Sequence, residues 1–485
     1  MTLKQQSIDG VKSTATSHTV VSLLTFTQLL VLTRLLTPSD FGLMGMVNVI
    51  LGLCSLFGDA GISSFIIHKQ EDLRDTLSGI FWINLGLASA LCCVLWLGTP
   101  SIAQYYGERE IRLLLPLAAP ILVLNSLGQP FQGLLERDLR FALLARLEII
   151  STGLGILFAI VLAAFGFGAI SFVAGAYANL GARTAGLAWA GRKLWRPRSP
   201  IRTGVDRMAM SFGFGLLGQR VANYVAANVD FFLIGSFLGA QPLGHYTLAY
   251  NIANLPSTRV NAVVSRVLFP TFARIQDDLA RLRKGYLKMQ ELTALVNFPL
   301  LFGMVVVAPL AIPLLFGPSW QPAVLLLQIL SVVGMGRAVS GTIGPLLLAR
   351  GRTDLGLKWS LMVVAIQVPG LLTGVLIGGV TGVAIAFAFL QTLYVFLNYP
   401  FLVRTLIGPS LREYLLTMWP ALWMSLTMAA IAFATRSILH ELPKAASLPL
   451  CVAIGGFVYV GLVWLMEKRQ LTELAQLILP KRTVA

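Results

Sequence analysis

Long apolar runs separated by short polar turns recur along the whole chain. A helix crossing a bilayer core of about 30 Å needs about 20 predominantly apolar residues. The chain supplies fourteen runs near or above that length, at 14–36, 41–67, 76–98, 111–135, 142–164, 169–190, 208–239, 243–268, 292–316, 323–348, 355–377, 380–403, 414–435 and 445–466. The pattern predicts an all-α polytopic membrane protein with about 14 transmembrane helices.

The pattern also repeats. Residues 13–50 give an apolar span, a short Pro/Asp/Gly turn and a second span, and residues 211–252 do the same. An offset of 202 positions sets Gly42 on Gly244, Leu36 on Leu238, His18 on Arg220 and Gln28 on Asp230. Six runs precede the second copy, so both copies have the same topology and the repeat is parallel rather than inverted. A second echo pairs LLERDLRFALLARLE at 134–148 with LLARGRTDLGLKWS at 347–360, each a basic turn between two spans. The segment 191–207, with two prolines and no apolar periodicity, reads as a linker. The expected organisation is an N-lobe over 1–190, a basic cytoplasmic linker over 191–207, a C-lobe over 208–405, and two further helices with a tail over 406–485.

Composition agrees with a lipid solvent: 56% of the 485 residues are hydrophobic and 12% are charged, about half the charge of an ordinary soluble protein. The net charge of +16 would suggest nucleic acid in a soluble chain, but its distribution explains it otherwise. With the N-terminus inside, thirty of the 37 Lys and Arg fall in cytoplasmic tails and loops and five on the other side. Such an excess marks the cytoplasmic face, so both termini are expected there and no nucleic-acid partner is implied. Residues 1–11 are polar and the run that follows is too long for a secretory signal, so the first span is expected to remain in the mature protein. Cys54, Cys92, Cys93 and Cys451 all lie in apolar runs without CxxC spacing, and read as core or lipid-facing residues.

One loop is amphipathic. After Pro270, the residues Phe272, Ile275, Leu279, Leu282, Tyr286 and Met289 recur at helical spacing, with Arg274, Arg281, Arg283, Lys284 and Lys288 filling much of the remainder. This predicts a helix lying along the cytoplasmic headgroup layer.

No GxxxxGK[ST] is present, and His18, His68, His245 and His440 are scattered without companion ligands at metal spacing. No catalytic, metal or cofactor residues are assigned, and LERDLR at 135–140 suits a solvated turn better than an acid/base pair. What remains is a set of polar groups inside apolar runs, where a charge costs about 2.5–3.5 kcal/mol at the helix centre on the translocon scale. These are Asp59, Glu148, Arg220, Asp230 and Arg337, with His18 and Gln28 at the matching depth of the first run. Arg220, Asn223, Ala227 and Asp230 are spaced 3, 4 and 3 apart, a polar stripe suited to lining a cavity. The alternative for Arg220 is a structural ion pair with Asp59 or Asp230.

Four stretches, RLLTPSDFGLMGM at 34–46, HKQEDLRDTLSGIFWINLGL at 68–87, FQGLLERDLRFALLARLE at 131–148 and LFPTFARIQDD at 268–278, resemble the polysaccharide-exporter (Wzx-like) branch of the multidrug/oligosaccharidyl-lipid/polysaccharide flippase superfamily. The resemblance covers most of the chain. It implies two six-helix lobes around a central cavity that opens alternately to each side of the bacterial inner membrane. The implied cargo is an undecaprenyl-diphosphate-linked oligosaccharide, with membrane lipids and a downstream polysaccharide polymerase as further partners. A diphosphate needs cationic donors, which makes Arg220, Arg337 and His18 candidate ligands, with Asn223 and Gln28 in the cavity wall. Asp230 and Asp59 are candidates for a proton or sodium counter-ion, or for salt bridges. Two alternatives stay open: a drug or cation antiporter of the same superfamily, which calls for an acidic cavity, and a membrane-embedded glycosyltransferase or ligase, which calls for large outer loops.

Overall fold

A computed structural model describes residues 3–58, 74–197 and 207–466. Every regular element among them is helical. Two compact units divide at Gly244 and His245.

In the first unit the helices are α1 (Leu3–Leu35), α2 (Pro38–Gly58), α3 (Arg74–Tyr106), α4 (Ile111–Ala118), α5 (Ile121–Arg137), α6 (Phe141–Ala164), α7 (Ile170–Gly191) and α8 (Arg207–Leu238), followed by the start of α9 (Ala240–Arg274). The turn before α2 is a capping arrangement. Thr37 donates its backbone N–H and its hydroxyl to Asp40 Oδ2, at 2.9 and 2.8 Å, and its hydroxyl oxygen accepts from Asp40 N. This satisfies N–H groups that the first helical turn cannot pair internally. α6 lies against both α1 and α7. Its approach to α7 is close enough that a Cβ on Gly155 would sit 2.8 Å from Gly175 O, and a Cβ on Gly175 would sit 2.8 Å from Gly155 O. Small residues that let backbones touch are the usual basis of helix association in lipid.

α8 packs on α2, with Tyr224 OH donating to Val49 O at 2.8 Å. The packing boundary at Gly244 lies beyond the repeat boundary expected within 191–207, and α8 belongs to the first unit.

The second unit holds the remainder of α9, then α10 (Leu279–Ala311), a π turn (Ile312–Phe316), α11 (Ala323–Ser340), α12 (Ile343–Ala349), α13 (Thr353–Asn398), a second π turn (Tyr399–Val403), α14 (Arg404–Ile407), α15 (Leu411–Leu416), α16 (Trp419–Ile438) and α17 (Lys444–Met466). A straight helix of 46 residues would be about 69 Å long, more than twice the bilayer core. α13 is not straight. Gly378 and Gly379 leave helical geometry, Gly379 at φ +56°, and beyond them Gly382 returns onto Gly374, where a Cβ on either would lie 2.1–2.7 Å from the other's carbonyl oxygen. The runs 355–377 and 380–403 are thus the two arms of one hairpin.

Eleven segments among the described residues are long and apolar enough to cross a membrane. α7 and α9 are not among them, and 353–407 counts once although α13 folds back. Fourteen crossings are reached only when those three are added.

One expectation is corrected here. The amphipathic stretch 271–290 is not a single headgroup helix. α9 runs on to Arg274, Asp278 caps the next helix by accepting from Arg281 N at 3.0 Å, and α10 continues unbroken into the apolar run. Phe272, Leu282 and Tyr286 are fully buried, packed with Ile343, Leu346, Leu402, Val403 and Tyr414. The apolar face is covered by protein, and only Leu279, at 46% exposure, remains outside.

Candidate functional site

The predicted polar residues fall into both units. In the first, His18 is half-buried on α1, and Gln28 lies ten residues further along, about 15 Å up the same helix. Arg220 is half-buried on α8, Asn223 is exposed and Asp230 is fully buried. The stripe read from the sequence therefore passes from an accessible end to a closed one. Glu148 accepts a hydrogen bond from Ser17 Oγ at 3.3 Å, which ties α6 to α1. Asp59, the proposed salt-bridge partner of Arg220, lies outside the described residues. α1 packs on α6 whereas α8 packs on α2, so Gln28 and Arg220 stand on helices with different neighbours.

Gln28 opens onto a cleft of about 420 Å³ between α1, α6 and α7, which Thr25, Thr152, Phe172 and Asn179 also line. The second unit has a cleft of about 510 Å³ between α10, α16 and α17 with the opposite character. Its walls are Leu, Val, Met, Pro, Gly, Ala and Cys, and its one phenol, Tyr459, already donates to Leu295 O at 2.7 Å.

Arg337 is a cation that the second unit positions closely. It stands on α11, and its Nη1 donates to Tyr250 OH at 2.6 Å and to Asn254 Oδ1 at 2.9 Å, both on α9. Its guanidinium carbon lies 5.0 Å from the centre of the Tyr250 ring and 5.2 Å from that of Phe387 on α13. Two aromatic faces and two polar acceptors hold the planar group in one orientation, and a lysine cannot reproduce that geometry. Asn261 Nδ2 donates to Arg337 O at 3.4 Å, fastening the backbone at the same point. Tyr250, Asn254 and Phe387 were not singled out from the sequence. The signal available was Tyr250 and Asn254 four residues apart, on one face of an apolar helix.

These features are those of a helical transporter with a fixed cation inside an apolar bundle, and comparison with known proteins agrees. Residues 31–325 match the family described as "Polysaccharide biosynthesis protein". The chain is 30% identical to the lipopolysaccharide biosynthesis protein WzxC of Escherichia coli K12, over 90% of its own length and 89% of that protein. The chain belongs to this family, on the Wzx-like branch of the flippase superfamily. It is also 30% identical to the teichuronic acid biosynthesis protein TuaB of Bacillus subtilis 168, over 95% of its own length and 96% of that protein. Among solved structures, the lipid II flippase MurJ in an inward closed conformation superposes with a TM-score of 0.72 over 93% of this chain and 99% of that one, at 14% identity. That likeness bears on the fold: an all-α polytopic transporter architecture shared across distant sequences.

Proposed function

We propose that this chain is a flippase that moves undecaprenyl-diphosphate-linked polysaccharide repeat units from the cytoplasmic to the periplasmic leaflet of the bacterial inner membrane, for exopolysaccharide or lipopolysaccharide assembly. Its relatives WzxC and TuaB are named for the biosynthesis of such polymers, and a third, ExoT of Rhizobium meliloti, 26% identical, is named a succinoglycan biosynthesis transport protein. The observation that carries the reading is Arg337, a guanidinium held ready by Tyr250, Asn254 and Phe387. A fixed cation suits a diphosphate and repels the organic cations an antiporter would carry.

In this reading Arg337 in the second unit and Arg220 in the first are each candidate ligands of the diphosphate, His18 assists Arg220, and Gln28 and Asn223 meet polar parts of the cargo. Asp230 and Asp59 serve as counter-ion sites or as salt-bridge partners. The apolar cleft between α10, α16 and α17 suits a prenyl chain. The thirty-to-five division of Lys and Arg supports cytoplasmic termini. Outward movement of two negative charges across an inside-negative membrane is favourable by roughly 4–5 kcal/mol per 100 mV, which allows an electrophoretic mechanism without obligatory ion exchange. The two copies of six helices act as the moving lobes, and α16 and α17 are additions to them.

The test is reconstitution in proteoliposomes with a fluorescent undecaprenyl-diphosphate oligosaccharide whose outer-leaflet fraction is bleached by an impermeant reductant. Protein-dependent loss of the protected fraction is expected. No such loss, together with proton- or sodium-driven uptake of a cationic dye, would replace the reading with the antiporter.

A further inference from the structure

The cleft between α1, α6 and α7 places several polar side chains within membrane-spanning helices. Its volume of about 420 Å³ lies within the range of small-molecule sites, roughly 300–1,000 Å³. Thr25 and Thr152 contribute hydroxyls, Gln28 and Asn179 contribute carboxamides, and Phe172 contributes a ring. No charged side chain lines it. Its base is rigid, because Gly155 and Gly175, both in its wall, bring α6 and α7 into backbone contact.

The donor set decides the ligand class. A phosphate or carboxylate calls for a cation, and an organic cation calls for a carboxylate or an aromatic cage. A prenyl or acyl chain gains nothing from two carboxamides, whose desolvation it would leave uncompensated. A carboxamide offers both donors and an acceptor; the Thr25 hydroxyl, whose proton goes to Val21 O at 2.7 Å, keeps lone pairs with which to accept, and Thr152 adds a second hydroxyl. These match a neutral ligand dense in hydroxyls, whose apolar C–H face packs on an aromatic ring. We propose that this cleft is a carbohydrate subsite that takes neutral sugar residues of the cargo. The proposal rests on the flippase reading and deepens it: the diphosphate is held by guanidinium groups, and the sugars by carboxamides and hydroxyls of the first unit. The all-apolar cleft of the second unit, comparable in volume, shows by contrast what a groove built for hydrocarbon looks like in the same chain.

The test is equilibrium binding of two probes to the full chain in nanodiscs: undecaprenyl diphosphate, and the same carrier bearing a neutral disaccharide. Wild-type protein is expected to bind the glycosylated lipid about tenfold tighter than the bare carrier. Asn179→Leu and Thr152→Val should each shrink that ratio by about three- to tenfold, the worth of one or two hydrogen bonds. Ala176→Leu fills the cleft without removing a polar group, and should shrink the ratio too. It provides the reading if Asn179→Leu fails to fold. An unchanged ratio in folded variants overturns the subsite and leaves the flippase standing, as does equal binding of both lipids by the wild type. Binding of neither lipid by the wild type overturns the flippase reading and the subsite with it.

Discussion

Gly42 and Gly244 occupy mirrored positions in one contact. A Cβ built on Gly42 would fall 1.7 Å from Ala240 O, and a Cβ built on Gly244 would fall 1.7 Å from Pro38 O. Pro38 and Ala240 are themselves 202 positions apart, like the two glycines, so the first turns of α2 and α9 meet through equivalent residues of the two copies. The N-terminus of α9 is held there by Glu108, whose Oε1 accepts from Ala240 N at 2.9 Å.

Neither glycine tolerates a methyl group without separation of the two helices. Gly42→Ala and Gly244→Ala should each destabilise the protein by about 1–3 kcal/mol, the usual range for overpacking. Because either substitution forces the same separation, the double variant should cost clearly less than the two single costs together. Thermal unfolding in detergent measures all three, and strict additivity would mean that the two contacts are independent.

The N-terminal end of α10 is part of a protein core rather than a membrane-surface helix. Leu282→Asp or Tyr286→Asp buries an uncompensated carboxyl among Ile343, Leu346 and Tyr414, and should lower the amount of folded protein in membranes severely. Leu279→Asp, at a position that is 46% exposed, should be tolerated. Quantitative blotting of membrane fractions with a thermal-shift measurement distinguishes the three. Equal tolerance would restore the headgroup helix.

That correction shows what kind of information the sequence carries. Apolar run length is set by bilayer thickness, so helix positions are legible, down to the break between 377 and 380 that became Gly378–Gly379. Amphipathic periodicity reports that a face is covered but not by what, and lipid headgroups and the α12–α15 segment leave the same pattern on Phe272, Leu282 and Tyr286. Arg337 is visible as a charge in an apolar run. Its partners Tyr250 and Asn254 are 87 and 83 residues away and are ordinary helix residues until the fold brings them together. Gln28 was legible because the offset of 202 positions sets it on Asp230. Thr152 and Asn179 were not, because single small polar residues in transmembrane helices most often satisfy themselves on their own backbone.

Arg337 depends on both its charge and its plane. Arg337→Ala should reduce export by about tenfold or more, and Arg337→Lys should recover only part of it, since an ammonium cannot stack between Tyr250 and Phe387. Tyr250→Phe keeps the ring and removes the acceptor at 2.6 Å. It should lower export by less than Arg337→Ala does, because the guanidinium keeps its charge and its place on the ring. Polymer production in a strain lacking its own flippase, scored beside protein level, is the measurement. Wild-type export by Arg337→Ala would remove this residue from the cargo site.

The turn after α5 and the turn after α12 are built alike but filled differently. In each a backbone N–H reaches five residues back, Arg140 N to Leu135 O at 2.9 Å and Arg352 N to Leu347 O at 3.0 Å. The residue before it is left-handed: Leu139 at φ +55° and Gly351 at φ +63°. Glycine suits this helix terminus and leucine is strained in it, by about 1–2 kcal/mol. Gly351→Leu should therefore lower stability by about that amount, because no atom lies within 4 Å of its added Cβ and only the backbone is at issue. Leu139→Gly should leave stability unchanged or raise it by up to about 1 kcal/mol. Unfolding temperatures of the two variants test this, and a stable Gly351→Leu would show that the turn relaxes out of the left-handed region.

Arg220 begins the polar stripe of α8, occupies the place that His18 holds in the first copy, and is half-buried in a helix whose neighbouring turns are apolar. If it grips a diphosphate, its charge matters most and its shape next. Arg220→Lys should keep partial export, while Arg220→Ala and Arg220→Glu should lose about tenfold or more at normal protein level, the scale of a charge-assisted hydrogen bond. A purely structural ion pair with Asp59 makes a different forecast; Asp230, ten residues along the same helix and so about 15 Å away, is out of reach of Arg220. Removing one member of a buried pair strands the other, whereas removing both leaves no charge uncompensated. Arg220→Ala with Asp59→Asn should then recover what Arg220→Ala lost. The cargo role predicts the reverse, with export staying down in the double variant while the unfolding temperature returns toward wild type. Export assayed beside thermal stability separates the two accounts, and recovery of both together would assign Arg220 to the scaffold.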